Sequence, residues 1–402
     1  VQHIPPSPIA PTSTMTRRRT ATAAALALIG LCVFTSLSNN DFLFSSPRPP
    51  SSSRTHPSQL RRSLLWWPGS KEPYINPLLK KHMKPFFTEP NLETEIVTFW
   101  HLPRSGGTTL KEIYKCMGQT LAVRGGVNPQ FGDKNDEEFA IFEPGHEVIN
   151  VDTVTKKGLL RAKKLKLVQS GKVDLIVTSG SLNFAIEHLY DNSHKGRLLA
   201  LFRHPVERLV SQFYYRHMAI SDDLEWKESD IVHWAENVVE EEQINLLVKT
   251  LVGLDRKSAF ITEEDMSVAI LTMRQKIVIG LTEEMEESIH RFNFFMGINE
   301  AEENKSECMN QYFGHGIKKD NSNPHPMVEE GSLAWEAIAK RNEFDIRLYK
   351  AIVEQFHEQT GIIESYAKAA RDREVAVAAD EMQEQIGEIQ NEMKTLLSKI
   401  LQ

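Results

Sequence analysis

Between Glu95 and Phe202 the chain carries three short apolar runs, each stopped by a breaker and followed by a helical pattern. Ile96, Val97, Phe99 and Trp100 form the first, and Pro103 ends it because its ring removes a ladder donor. Asp174–Ser179 (DLIVTS) is the second, broken by Gly180, and Arg197–Phe202 (RLLALF) is the third, with Arg203 at its end. Runs this short, with no polar alternate face, suit strands buried on both sides. After them come apolar positions at helical spacing: Leu110, Ile113 and Met117, then Ala185, Ile186 and Leu189, then Leu209, Val210, Phe213 and Tyr214. Pro205 suits the first turn of the last of these helices. Strands alternating with helices predict an α/β fold: a three-layer, P-loop-like parallel sheet with flanking helices. Ligands of such sheets bind outside the carboxyl ends of the strands, where Arg203 and the loop after Trp100 fall.

The two ends of the chain read differently. Arg17, Arg18 and Arg19 precede an uncharged apolar stretch, Ala21–Leu37. This predicts a cytoplasmic tail over 1–20 (with Met15 as the true start), a signal anchor over 21–37 and a luminal remainder. A cleaved signal peptide is the alternative. Residues 38–90 are rich in Ser, Pro and Arg, include Trp66 and Trp67, and predict an extended stem. The folded domain is expected over 91–360 and a helical tail over 361–402. In that tail Val375, Ala379, Met382, Ile386, Ile389, Met393, Leu396 and Ile400 recur at alternating spacings of 4 and 3. This is a heptad seam, which predicts a coiled-coil homo-oligomer through 375–400 or else a helix folded back on the domain.

Composition adds bounds. Of 402 residues 41% are hydrophobic and 25% charged, so a sizeable core is possible, and a net charge of −7 argues against nucleic acid as partner. Against that balance, Thr153–Val173 carries seven basic residues and no acidic one. It reads either as a solvated helix face or as a landing strip for an anionic polysaccharide. Three cysteines, Cys32, Cys116 and Cys308, are too few for a disulfide scaffold, although the last two are free to pair in a lumen. Asn304-Lys305-Ser306 is a glycosylation sequon.

The chemistry concentrates in the loop His101–Leu110, HLPRSGGTTL. Gly106 and Gly107 permit a tight turn, and Thr108 or Thr109 is placed to cap the helix that follows. A turn of this kind aims several backbone N–H groups at one spot, and Arg104, Ser105, Thr108 and Thr109 add charge and donors. It is an anion cradle, but not the nucleotide loop GxxxxGK[ST], which occurs nowhere in the chain. About a hundred residues later comes LFRHPVERLVSQFYYR, in which Arg203 can grip a phosphate and Ser211 lies two helical turns beyond.

In this order the two stretches resemble the 5′-phosphosulfate loop and the 3′-phosphate motif of sulfotransferases that use 3′-phosphoadenosine 5′-phosphosulfate (PAPS). VIGLTEEMEESI (Val278–Ile289) and NEFDIRLYKAIVEQF (Asn342–Phe356) are similar to segments of the Golgi heparan and uronyl 2-O-sulfotransferases, the second with Asp, Leu and Tyr on one face. The resemblance implies PAPS as donor and a carbohydrate hydroxyl, on an anionic or neutral polysaccharide, as acceptor. It also implies a single-pass type II protein of the Golgi membrane and no metal. Ser105, Gly106, Gly107, Thr108 and Thr109 would hold the 5′ end, Arg203 and Ser211 the 3′-phosphate, and Arg104 the leaving oxygens. Relatives place a catalytic His just after the second strand, where this chain has Ser181. His188 is the favoured replacement, with Glu187 second and His194 and His146 as further candidates. A non-catalytic sulfotransferase-like binding protein and a nucleotide kinase are the rival readings.

Overall fold

The three apolar runs are β1 (Glu95–Trp100), β5 (Leu175–Thr178) and β6 (Lys195–Phe202), and β1 lies between the other two in parallel pairing. The structure, a computed structural model, describes residues 74–123, 138–139, 141–142, 148–180, 182–218, 227–314 and 325–400. The predicted cytoplasmic tail, the anchor, most of the stem, His146 and Ser181 lie outside the described residues. β7 (Ile277–Leu281) pairs parallel with β6. On the other side two-residue strands β2 (Leu121–Ala122), β3 (Ile141–Phe142) and β4 (Val148–Ile149) complete the order β3-β4-β2-β5-β1-β6-β7. Only β3, on the edge, is antiparallel to its neighbour.

Alternation along the strands builds the layers. Leu198, Ala200 and Phe202 of β6, with Ile277 and Ile279 of β7, face one side, and Leu199, Leu201 and Val278 face the other. The first side is covered by α1 (Pro77–His82), α3 (Lys156–Lys164), α4 (Leu182–Leu189), α7 (Leu246–Val252), α8 (Glu263–Lys276) and the start of α12 (Glu343–Ile400). The second is covered by α2 (Gly107–Cys116), α9 (Met285–Met296) and α10 (Glu303–Phe313). A third apolar cluster joins α5 (Pro205–Met218), α6 (Glu228–Asn237) and α11 (Leu333–Arg341). The prediction of a three-layer α/β sheet holds.

Packing of the domain begins well before residue 91. Leu79, Met83 and Phe86 are buried, and Asn76 caps α1 while its Nδ2 donates to Leu251 O at 2.9 Å. Arg197, buried in β6, donates to Glu95 Oε2 at 2.8 Å and to Pro85 O at 3.1 Å, stitching this segment to the sheet. Residues 74–90, assigned to the stem on composition, are therefore part of the folded unit.

At the other end α12 runs without a break for 58 residues. Asp345, Leu348, Ile352 and Phe356 are buried on the domain, and Asp345 accepts from the Leu247 and Val248 amides at 3.0 Å each, closing the start of α7. From Val375 to Leu396 the seam residues are exposed, Ile386 at 42% and Val375 at 69%, so this part of the helix is not folded back on the domain. No helix among the described residues is long and apolar enough to cross a membrane.

A candidate anion-binding site at the carboxyl edge of the sheet

β1, β5, β6 and β7 end together: Trp100 stands opposite Thr178 and Ala200, and Phe202 opposite Leu281. The loop leaving β1 is held first by the His101 amide, which donates to Thr178 O at 2.7 Å. It then turns through two left-handed residues, Arg104 (φ 66°) and Gly106 (φ 74°), and enters α2 at Gly107. Gly106 is the N-cap, with no side chain capping the helix. The expectation that Thr108 or Thr109 would cap it is corrected: the positive φ of Gly106 starts the helix one or two residues sooner. The first amides of α2 consequently have no intrahelical acceptor and point out of the turn, as an anion requires.

Both glycines are needed, for different reasons. A Cβ on Gly106 would lie 2.5 Å from Met285 Cε on top of the backbone strain. A Cβ on Gly107 would fall 2.0 Å from His101 Cδ2. The close approach at Gly107 is thus to the protein's own imidazole. Ser105 is buried, and its hydroxyl has no hydrogen-bond partner, an orphan polar atom in the turn.

The second motif arrives from β6. Thr282, just past β7, donates its amide to Phe202 O at 2.8 Å and so pins the strand end. Arg203 Nη1 then donates to the Arg104 carbonyl at 3.4 Å, and its Nε to Glu207 Oε2 at 3.3 Å. Arg104 Nε donates to Ser211 Oγ at 3.1 Å, and its guanidinium lies 4.5 Å from the Tyr215 ring centre. Burial lowers the Arg104 pKa, with Arg203 adding to the fall and Tyr215 opposing it. Among the described residues no carboxylate pairs with Arg104, so its charge is balanced only by the hydroxyl and the ring face. Arg104, Ser105, Gly106, Gly107, Arg203 and Ser211 thus lie together at this edge, and Thr108 and Thr109 follow on the first turn of α2. Arg208 is elsewhere, fully buried and donating to Gln243 Oε1 and O at 3.2 and 3.0 Å.

The proposed base candidates lie off this cluster. His188 stacks on Phe184 with ring centres 4.0 Å apart, and its Nδ1 is 3.0 Å from Phe184 O. Donation there leaves Nε2 with the lone pair, the form a base uses. Glu187 is exposed, and His194 Nδ1 is 3.3 Å from Asp191 in a turn. Among the described residues no hydrogen bond, ion pair or ring contact joins any of the three to Arg104 or Arg203.

The structure adds residues that motif reading missed. Glu283, one residue past Thr282, accepts from Tyr349 Oη at 3.2 Å, and burial raises its pKa. His204 stacks on Trp335 and meets Tyr349 edge-on. Tyr349 is the tyrosine of the Asp-Leu-Tyr face in Asn342–Phe356, and Glu283 lies in Val278–Ile289, so both sit in stretches already singled out. His101 carried no such signal. Burial, with Lys111 adding, pulls its imidazole down to about 4, so it stands neutral against the start of α2. The folded pKa lies below the unfolded value near 6.5, so this contribution to stability is complete above pH 6.5 and lost as pH falls towards 4. Roughly 3 kcal/mol should disappear over that interval at 1.36 kcal/mol per unit. Urea unfolding of wild type and His101→Gln at pH 7 and 4.5 checks this: an identical pH dependence in both would refute it.

No protein-family model matches the sequence, and no curated protein does. Among solved structures, the crystal structure of a sulfotransferase from Alicyclobacillus acidocaldarius is similar over 66% of this chain and 96% of that one, with 14% identity and a TM-score of 0.29. At that identity and score it adds nothing to the geometry above.

Proposed function

We propose that this protein is a PAPS-dependent sulfotransferase acting on a carbohydrate hydroxyl in the secretory lumen. One observation carries the reading: two motifs 107 residues apart meet, through Arg104 Nε on Ser211 Oγ. A lone glycine turn is a weak signal, and the bond from its basic residue to Ser211 of the second motif supports reading the two stretches as one site. The residues fit the donor. The uncapped amides of α2 and the orphan Ser105 hydroxyl offer donors for its 5′ end, and Arg203 with Ser211 for its 3′-phosphate. PAPS supplies an activated sulfuryl group on a phosphate leaving group. The part of Arg104 is to stabilise negative charge as it grows on the leaving oxygens, and among the described residues no carboxylate pairs with its guanidinium. His188 is joined to none of the cradle residues, so it can take the substrate proton through Nε2 only where the substrate hydroxyl reaches the face of α4 that it shares with Phe184.

The compartment follows from different residues. Cys116, at the end of α2, is disulfide-bonded to Cys308 in α10, with Cα atoms 5.8 Å apart. Such bonds persist in oxidising compartments. Asn304 is exposed in the first turn of α10, open to glycosylation. Both support a luminal domain, which the anchor at 21–37 would tether to the Golgi membrane.

The reading is tested by titrating the protein with adenosine 3′,5′-bisphosphate and with ATP, then assaying transfer from labelled PAPS to mixed glycans. Preference for ATP would favour a kinase. Binding of the bisphosphate with no transfer to any acceptor would favour the second reading, a sulfotransferase-like binding protein. That alternative is motivated by Ser181 in place of the relatives' His.

The exposed seam of α12 is proposed to join copies of the chain. Removing 375–402 should reduce the mass seen by light scattering and leave bisphosphate affinity within about 1 kcal/mol, the scale of surface changes. An unchanged mass would rule out assembly through the seam.

A further inference from the structure

Arg256, half-buried near the crevice, makes fewer side-chain bonds than the buried arginines Arg197, Arg208 and Arg291, although an unpartnered Nε is common to it, Arg208 and Arg274. Arg197 gives its guanidinium to Glu95, Thr88 and main-chain carbonyls, Arg208 to two oxygens of Gln243, and Arg291 to Glu287, Phe356 O and Thr360. Arg256, in the loop between α7 and α8, has one side-chain bond, from Nη2 to Glu242 O at 3.3 Å. Its Nε is buried with no partner, and among the described residues no carboxylate pairs with it. A guanidinium carries five donors, and here Nε is shut away and Nη2 is bonded, which leaves Nη1 reachable from solvent as the donor open to an incoming oxyanion.

Its location says what side of the site it serves. A Cβ on Gly180 would come within 2.4 Å of Arg256 Nη1, so the guanidinium lies directly over a residue that has no side chain. Gly180 follows β5, next to the cradle strand, and is exposed. The helix before the loop, α7, is tied there by Asn183 of α4, which donates to Thr250 O at 2.8 Å. A second cation borders the same edge. Thr153, just before α3, donates to Val177 O at 2.6 Å, and Lys156 in the first turn of α3 lies over the Phe184 ring at 5.5 Å. Arg203 and Ser211 follow β6, two strands from β5 and on the far side of β1.

We infer that Arg256 is a specificity-determining residue that holds an oxyanion of the acceptor, a carboxylate or a sulfate ester, across the open edge of β5. This rests on the proposed transferase reading for the word acceptor only. Arg is suited to it because its planar fork meets two oxygens at once, and Gly180 is suited because any side chain would displace the fork.

The test uses the full chain and three oligosaccharides of equal length: oligogalacturonate (carboxylate only), its carboxyl-reduced neutral form, and a sulfated dextran fragment (sulfate only). Wild type should bind at least one anionic form more tightly than the neutral one. Arg256→Gln should weaken that binding at least tenfold, Arg256→Lys less, and Gly180→Ala in the same sense as Arg256→Gln. Bisphosphate affinity should stay within twofold in all three, which also shows that the variants fold. Which anionic sugar responds tells carboxylate from sulfate. Equal binding of neutral and anionic sugars by wild type, or Arg256→Gln binding within twofold of wild type, overturns the inference. Wild type that grips the anionic sugar through Arg256 but ignores the bisphosphate keeps the inference and removes the transferase reading.

Discussion

Arg203→Ala is expected to weaken binding of adenosine 3′,5′-bisphosphate by roughly 2–5 kcal/mol, the loss that follows when one member of a close charge pair is removed. The size follows from the surroundings. Arg203 reaches across to the Arg104 carbonyl, so it both faces the ligand and holds the cradle loop against β6. Glu207 would also be left without the cation it now faces. Ser211→Ala removes only a hydroxyl and should cost about 1 kcal/mol. Arg104→Ala should separate from both, with turnover falling far more than nucleotide affinity, because the charge it meets grows only in the transition state. Isothermal titration and single-turnover transfer measure the two quantities. Small and equal effects from all three changes would place the site elsewhere.

The second large effect concerns the bond from Cys116 to Cys308, which closes a loop with a sequence separation of 192. On the chain-entropy account a closed loop of that length destabilises the unfolded chain by about 5 kcal/mol. The Cys116→Ser, Cys308→Ser double variant should therefore lose a large part of the total stability of an ordinary domain. Denaturant midpoints with and without reductant read this out, and wild type in reductant should match the double variant. The loss should be felt in the cradle too, since α2 begins at the glycine turn and ends at Cys116. A double variant as stable as oxidised wild type would show that the unfolded chain is already constrained in some other way.

Where the sequence was legible, the physics was local. β1, β5 and β6 could be read because strands buried on both faces must be apolar throughout, and each one is stopped by a breaker. β7 has the same character in IVIGL but attracted notice only through its likeness to a family segment. β2, β3 and β4 are two residues long and leave no pattern at all. The segment 74–90 was misjudged because its prolines and lysines hide a few core residues, Leu79, Met83 and Phe86, whose burial depends on Arg197 and Lys276 far along the chain. In the site, Arg104, Arg203 and Ser211 were legible because each belongs to a short motif. Arg256, Glu283 and His101 were not, because their significance comes from a neighbour in space: a glycine, a tyrosine, a helix start. His188 is the instructive case. Phe184 four residues before it lies on the same helical face, and that spacing alone foretells the ring stack.

The length of α12 bears on how a polymer would be handled. From Ser365 to Ile400 a helix rising 1.5 Å per residue extends about 50 Å. If two such arms wind together, two cradles are held within a fixed span of each other. A long glycan captured by one of them is then offered to the other at an effective concentration set by that span, not by the bulk solution. Residence on the chain of sugars would rise with polymer length while the affinity for a short oligosaccharide stayed constant. Cutting the arms away would leave each cradle's intrinsic affinity intact and abolish the dependence on length.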